Sequence, residues 1–188
     1  MVIQAVLFDL DNTLTHRDLS IEAYSRYLHQ AYAQSLAHDQ MTAITAIIQQ
    51  IDQGGYPQKQ LLTHPSIAAS VAYALQQQLV WTYIPHVDEL TQFWFKHFGT
   101  CAVPMFGAQA LLQQLKQQGF KLGVISNGKH QSRVNILQGL GFLDYFDVVY
   151  SSELVGVAKP NAEIFLHTAQ ALHLALALLH KDLKCKAP

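Results

Sequence analysis

The sequence predicts an α/β fold, a Rossmann-like parallel sheet core with an inserted α-helical cap. Short apolar runs that end in polar loops alternate with amphipathic helical segments, once at the start of the chain and again after residue 100. Strands and helices that alternate in this way form parallel sheets with right-handed crossovers. Residues 15–100 show helical periodicity and no clear strand. We therefore predict a core formed by residues 1–14 and 101–188, and a cap formed by residues 15–100.

The first predicted strand covers residues 2–8 and is rich in Val, Leu and Phe. Asp9 and Asp11 follow at its carboxyl end, which is where open α/β sheets bind ligands. Two carboxylates in that position can hold a divalent cation, or they can divide the roles of nucleophile and acid–base catalyst. Taken alone, the Asp-x-Asp-Asn-Thr segment is also compatible with a turn made by side chain–backbone hydrogen bonds.

Four helices are predicted in the cap. Ser20 is the expected N-cap of the first helix, Gly54 and Gly55 supply a left-handed end to the second, and Pro65 suits the first turn of the third. Aromatic stripes at helical spacing usually belong to a packed core, so we expect them to pack rather than to bind a cofactor. The expected helices cover residues 20–37, 39–51, 66–79 and 86–99.

The alternating pattern resumes after the cap. Amphipathic segments that begin or end at turn formers predict helices, and short apolar runs predict strands. Each of the two strands ends in a polar loop, where a ligand can bind. In chain order the sequence predicts helix 107–118, strand 120–125, helix 131–140, strand 146–150, and helix 162–173 with Asn161 as its N-cap.

Polar residues with complementary chemistry are predicted to meet at this edge of the sheet. Ser126 can donate its hydroxyl, and the backbone amides of Asn127 and Gly128 are expected to open the next helix and to form an anion site. Lys159 adds a compact positive charge. Together with the two acids after the first strand, these groups suit one ligand, a phosphoryl group with a divalent metal.

Composition excludes several classes of partner. Charged residues make up 13% of the chain and the formal net charge is -1, which indicates neither nucleic-acid nor membrane-surface binding. The two cysteines, Cys101 and Cys185, lack metal-site spacing and are expected to be reduced thiols. No leader peptide is recognised, and the apolar stretch near residues 169–179 is too short to span a bilayer. We predict a cytoplasmic protein.

Three segments carry a resemblance to a known family. FDLDNTL, at residues 8–14, is similar to a DxDxT motif, and ISNG, at residues 125–128, is similar to a second motif in which Ser or Thr ends a strand. GVAKP, at residues 156–160, looks like a third motif. On these segments the chain resembles the haloacid dehalogenase-like (HAD) hydrolase superfamily. The predicted cap resembles the family's cap in kind and position only.

The resemblance implies a magnesium-dependent phosphatase that acts on a small phosphorylated metabolite. Asp9 would be the nucleophile that forms an aspartyl-phosphate, and Asp11 would protonate the leaving oxygen and later accept a proton from water. Ser126 and Asn127 would bind the phosphoryl group, and Lys159 would offset its charge in catalysis. Mg²⁺ would be bound by the Asp9 carboxylate and the Asp11 backbone carbonyl.

Asp11 also separates two branches of the family. The dehalogenase members lack an acid at this position, since a halide leaves without a proton, so the resemblance favours phosphate ester hydrolysis over dehalogenation. A catalytically impaired HAD-like protein with a binding or structural role is the alternative. It stays open because the family's fourth motif, an acidic loop that completes the metal site, is not found in the sequence.

Two interpretations of the carboxyl-terminal segment remain open. In one, residues 176–180 form a short strand and Asp182 is a metal ligand; in the other, the preceding helix runs past Leu179 into a basic tail. Without a fourth strand, residues 2–8 would lie at an edge of the sheet. We then expect weak magnesium binding, slow turnover and self-association along that edge.

Overall fold

Three parallel strands form the sheet in the computed structural model, which describes residues 3–174. The strands are β1 (Ala5–Phe8), β2 (Lys121–Ser126) and β3 (Val148–Ser151), in the order β1-β2-β3. Ala5 pairs with Lys121 and Gly123 pairs with Val148, both in parallel register. The predicted parallel α/β fold is confirmed. β1 begins later than the predicted strand, β2 has the predicted length but lies one residue further along the chain, and β3 is one residue shorter than predicted.

Eight helices accompany these strands in the described residues. Seven of them follow the predicted order, and the short helix Ser152–Val155 lies where the sequence predicted none. Short 3-10 turns at Gln53–Gly55, Lys59–Leu61, Gly99–Cys101 and Leu143–Tyr145 join some of them. None of the helices in residues 3–174 is long and apolar enough to cross a membrane. The helices are α1 (Arg17–Ala31), α2 (Met41–Asp52), α3 (Ile67–Gln78), α4 (Val87–His97), α5 (Ala108–Gln117), α6 (His130–Gly139), α7 (Ser152–Val155) and α8 (Ala162–Ala171).

The chain divides into two compact units. Of the described residues, 3–10, 106–134 and 142–174 form what we call the sheet unit, and 11–105 with 135–141 form the helical unit. The assignment of these units as an enzyme core and its cap stays a prediction.

In the sheet unit, β2 is the buried central strand. Leu122 and Val124 are fully buried, as expected for a parallel strand with a neighbour on each side. Gly123 keeps this packing possible, because a Cβ there would lie 2.8 Å from the Leu7 side chain. Within residues 3–174, β1 has a strand neighbour on one side only, and its residues are half-buried. Self-association along this edge stays a prediction.

Aromatic rings fill the core of the helical unit. Tyr24 of α1 is 1% exposed, and its ring centroid lies 4.8 Å from that of Trp94 in α4. Trp94 stacks on Phe98 with a centroid distance of 4.3 Å and an angle of 9°. Offset and edge-to-face pairs of this kind stabilise a core beyond the area that they bury. The aromatic stripe is therefore packing, as predicted.

The first helix begins earlier than predicted. Its N-cap is His16, whose Nδ1 accepts a hydrogen bond from the Leu19 amide at 3.4 Å, so the prediction of Ser20 was wrong. The Ser20 hydroxyl instead donates to the His16 carbonyl at 2.8 Å and accepts from the Val103 amide at 2.9 Å. A tertiary hydrogen bond to a residue far away in sequence therefore uses the side chain that could have capped the helix. The shift places Arg17 in the first turn.

Two glycines permit a close backbone approach in the helical unit. A Cβ added to Gly139, at the end of α6, would overlap the Gly99 carbonyl oxygen and lie 2.8 Å from the Gly99 carbonyl carbon. A Cβ added to Gly99 would lie 2.7 Å from the Asn135 carbonyl carbon. Since the obstructing atoms belong to the backbone, a small rotamer change cannot relieve the overlap.

Gly139→Ala is expected to lower the free energy of unfolding by about 1–3 kcal/mol, the usual cost of overpacking. A helical glycine without such a backbone contact would show the opposite sign, because alanine favours helix. Urea unfolding followed by circular dichroism measures the change, with Gln138→Ala at the neighbouring exposed position as control. A Gly139→Ala protein as stable as the parent would contradict this account of the contact.

Candidate active site

An ion pair joins the ends of two strands in the sheet unit. The Lys159 Nζ donates to Asp9 Oδ1 at 2.5 Å and to the Ile125 backbone carbonyl at 2.9 Å. Asp9 follows β1, and Ile125 lies near the end of β2. The two charged side chains are 22% and 30% exposed, so water reaches both of them. Lys159 therefore lies against Asp9 although 150 positions separate them in the sequence.

Asn127 fixes the backbone of Lys159. Its Oδ1 accepts from the Lys159 amide at 2.8 Å, and its Nδ2 donates to the Lys159 carbonyl at 3.2 Å. The peptide bond between Lys159 and Pro160 is cis. The Asn127 side chain thus uses its oxygen and one N–H on Lys159, while its backbone amide is the group that the sequence predicts for the phosphate contact. That contact stays a prediction.

Ser126 ends β2 and is 2% exposed. Its hydroxyl lies 3.5 Å from Arg133 Nη1, and it donates a long hydrogen bond of 3.4 Å to the Asn127 carbonyl. The sequence analysis did not single out Arg133. Its position in the first turn of the helix that follows the Ser-Asn-Gly loop is the signal that could have found it, since that turn faces back toward the loop.

The amino terminus of α6 is used differently from the prediction. The helix begins at His130, and the His130 amide donates to Glu153 Oε2 at 2.8 Å. The Gly128 amide donates to the Ser152 hydroxyl at 2.9 Å. The expectation that Gly128 would offer its amide to an anion at the helix start is therefore wrong. The polar segment after β3 already supplies the acceptors, among them a carboxylate that suits the positive end of the helix dipole.

In the helical unit, a buried arginine binds the second predicted acid. Arg17 Nη1 donates to Asp11 Oδ1 at 2.9 Å, and the two side chains are 5% and 12% exposed. The same guanidinium donates from Nε to Asp52 Oδ2 at 3.0 Å and from Nη2 to Asp52 Oδ1 at 2.6 Å. Its carbon atom Cζ lies 4.6 Å from the centroid of the Phe98 ring.

Neither Arg17 nor Asp52 was found from the sequence. Asp52 is fully buried at the end of α2, where it continues the apolar positions Ile44, Ile48 and Ile51. An acid at a core position of a helix is the signal, because such a group needs a charged partner. Burial by itself lowers the pKa of Arg17, but hydrogen bonds and charge from Asp52 and Asp11 outweigh burial, so this pKa lies above its ordinary value.

The oxygen ligands present agree in kind with a magnesium site. Among residues 3–174 there is no group of three or more His, Cys, Asp or Glu side chains placed to hold a metal. Mg²⁺, however, is commonly bound through one or two carboxylates, with water and substrate phosphate completing the shell. The Asp9 carboxylate and the Asp11 backbone carbonyl fit that chemistry. Asp182, the other candidate ligand, lies outside the described residues.

Comparison with known proteins agrees with the fold. The chain matches the family model described as haloacid dehalogenase-like hydrolase over residues 3–177. It is 36% identical over 77 residues to the pyrimidine 5'-nucleotidase YjjG of Escherichia coli, a match that covers 41% of this chain and 34% of that protein. The matched segments span about a quarter to a third of the length of the first curated relatives.

Solved structures share the fold. The HAD-hydrolase YfnB from Bacillus subtilis, in a structure bound to magnesium, aligns with a TM-score of 0.64 and 21% identity over 90% of this chain and 72% of its own. The L-2-haloacid dehalogenase from Xanthobacter autotrophicus aligns with a TM-score of 0.61 and 20% identity over 93% of this chain and 66% of its own. Since the family model covers nearly the whole sequence, the chain belongs to the haloacid dehalogenase-like hydrolase family.

Proposed function

We propose that this protein is a magnesium-dependent phosphatase that hydrolyses a small phosphorylated metabolite through an aspartyl-phosphate. The observation that carries the proposal is the Asp9–Lys159 ion pair at the carboxyl ends of the strands, with the Ser126 hydroxyl at the end of β2. A carboxylate, an ammonium group and a hydroxyl suit phosphoryl transfer, in which catalysis is mostly positioning and charge stabilisation. The name of the Escherichia coli relative, a nucleotidase, supports this substrate class.

The proposed first step transfers the phosphoryl group to Asp9. An Asp9 carboxylate oxygen attacks phosphorus, the bond from phosphorus to the ester oxygen breaks, and that oxygen keeps the electron pair. Asp11, two residues further along the chain, supplies the proton that the leaving oxygen needs. Lys159 offsets the negative charge where carboxylate and phosphate meet, and Ser126 donates to a phosphoryl oxygen. Bound magnesium would offset further negative charge on the phosphoryl group.

The second step releases phosphate. Water attacks the phosphorus atom of the aspartyl-phosphate, Asp11 accepts the proton of that water, and the bond between phosphorus and the Asp9 oxygen breaks. The Asp9 carboxylate is restored and inorganic phosphate leaves. Each step thus uses Asp11 once, first as an acid and then as a base.

Dehalogenation is the less favoured chemistry. It needs attack on carbon and a halide that leaves without a proton, which gives the Asp11 side chain no role. In this structure that side chain is held by a buried arginine, and phosphate ester hydrolysis gives the acid a proton to transfer. The similarity to the Xanthobacter dehalogenase is a similarity of fold, at 20% identity.

A HAD-like protein with impaired catalysis and a binding role is the second candidate. The observation that favours it is the lack of a third acidic metal ligand among residues 3–174. The two candidates differ in turnover, so the assays described next separate them.

Asp9→Asn is expected to lower hydrolysis of p-nitrophenyl phosphate by at least about 10³-fold, because the nucleophile is lost. The initial rate of nitrophenolate release is the measurement. Asp144→Asn, the same chemical change at an exposed site in the sheet unit, serves as control and is expected to keep full activity. Activity that survives in Asp9→Asn would exclude Asp9 as nucleophile, and an inactive parent would favour the binding protein.

Lys159→Met is expected to lower kcat by about 10²–10³-fold, the usual effect of removing one preorganised donor from a developing negative charge. Lys159→Arg should retain part of the activity, since the charge is kept while the compact shape is lost. Steady-state kinetics with p-nitrophenyl phosphate test this, with Lys96→Met at an exposed position as control. Equal kcat values for Lys159→Met and the parent would contradict the role.

Removal of divalent cations with EDTA is expected to abolish hydrolysis, and Mg²⁺ in excess is expected to restore it. Ca²⁺ should restore little, because it prefers more ligands at longer distances than an octahedral magnesium site offers. Titration of activity and calorimetric titration with Mg²⁺ should give the same midpoint. Full activity in EDTA would rule out the magnesium requirement.

A further inference from the structure

We propose that Arg17 is a positioning residue that orients the Asp11 carboxylate for proton transfer to the leaving oxygen. This inference rests on the proposed phosphatase function. It concerns a residue for which the motifs of the sequence give no role. Every contact that supports it lies within the helical unit.

The first observation that supports the proposal is that the Arg17 side chain is buried. Its side chain is 5% exposed, and its guanidinium donates three hydrogen bonds to two carboxylates. A surface arginine loses side-chain entropy when it is fixed, and such a pair contributes little. Here the Phe98 ring and the buried Asp52 already hold the guanidinium, so its contact with Asp11 needs little further ordering.

The second support is that Asp52 is itself fixed. Its Oδ2 accepts from the Gly55 amide at 2.9 Å. Gln53, Gly54 and Gly55 all have left-handed φ values, of 46°, 69° and 90°, which turn this amide back toward the carboxylate. Asp52 therefore presents both oxygens to Arg17 from the end of α2, with the loop 53–55 bonded to one of them.

A further pair of contacts ties this loop to the segment that carries Asp11. Asn12 Nδ2 donates to the Gly54 carbonyl at 3.0 Å, and Asn12 Oδ1 accepts from the Arg17 amide at 3.3 Å. Asn12 has a left-handed φ of 57°, a conformation that Asn tolerates better than most residues. The loop, Arg17 and the Asp11 segment thus form one connected network.

The chemical consequence concerns the two oxygens of Asp11. With Nη1 bonded to Oδ1, rotation of the carboxyl group is restricted, so the direction in which Asp11 presents its acidic proton is fixed. That proton moves to the ester oxygen as the phosphorus–oxygen bond breaks and the electron pair passes to this oxygen. Arg17 acts through Asp11 and has no contact with the reacting atoms in this scheme.

The test compares two substrates of similar size, p-nitrophenyl phosphate and benzyl phosphate. Nitrophenolate leaves without a proton, whereas benzyl alkoxide is strongly basic and needs one. The parameter is kcat/KM, because it reports the steps up to aspartyl-phosphate formation and omits its hydrolysis. Arg17→Met is expected to lower kcat/KM by about 10–100-fold for benzyl phosphate, part of the usual contribution of a general acid, and by less than about 3-fold for p-nitrophenyl phosphate.

Three further variants sharpen the result. Arg17→Lys should restore part of the loss with benzyl phosphate, and Arg26→Met, at an exposed site of α1, should cause none. In an Asp11→Asn background, Arg17→Met should add no further loss, since a residue that acts through Asp11 has no effect without it.

A separate double variant serves as a control for a loss of stability. Arg17→Met leaves Asp52 buried without its cation, which can prevent folding, whereas Arg17→Met/Asp52→Leu removes both charges from the interior. The double variant is expected to unfold in a single cooperative transition and to show the same selective loss. Equal losses with both substrates, or no loss with either, would overturn the role of Arg17 while the phosphatase function stands. A parent inactive on both substrates would overturn the proposed function, and this inference with it.

Discussion

A single ammonium group, that of Lys159, bonds the Asp9 carboxylate and the Ile125 carbonyl at once. β1 and β2 are parallel neighbours and end at the same edge of the sheet, so the Asp9 carboxylate and the Ile125 carbonyl oxygen lie close enough to share one cation. A cation at this point lets a carboxylate lie beside backbone oxygens without repulsion. The arrangement of the other polar groups follows from it: Asn127 holds the backbone of the lysine, and the Ser126 hydroxyl lies next in sequence to the carbonyl that Lys159 binds.

The two acids of the first motif have cationic partners of different kinds. Asp9 meets a lysine that water still reaches, and Asp11 meets an arginine that is buried and shared with Asp52. Lysine is a compact charge that can rearrange when a new anion arrives, while a guanidinium bound by two carboxylates is held in its plane. This difference agrees with the roles proposed for the two acids, Asp9 as nucleophile and Asp11 as a proton donor of fixed direction.

The parallel sheet and the meeting of Asp9 with Lys159 could be predicted from the sequence, because parallel strands bring their carboxyl ends to one edge whatever the details of packing. The first residues of the helices could be predicted less well. Ser20 has every local property of an N-cap, yet its hydroxyl accepts from the Val103 amide, a partner 83 residues away. The pairing of Arg17 with Asp52 and the capture of the His130 amide by Glu153 depend likewise on tertiary contacts, which the local pattern does not contain.

The hydrogen bonds from Asn127 reach only main-chain atoms of Lys159. They would form with any residue at that position, because every amino acid except proline offers the same amide and carbonyl. Asn127 therefore fixes where residue 159 lies, whereas the lysine side chain supplies its charge. Within such a framework, a change of side chain at 159 alters the charge presented to Asp9 without requiring the loop to find a new path.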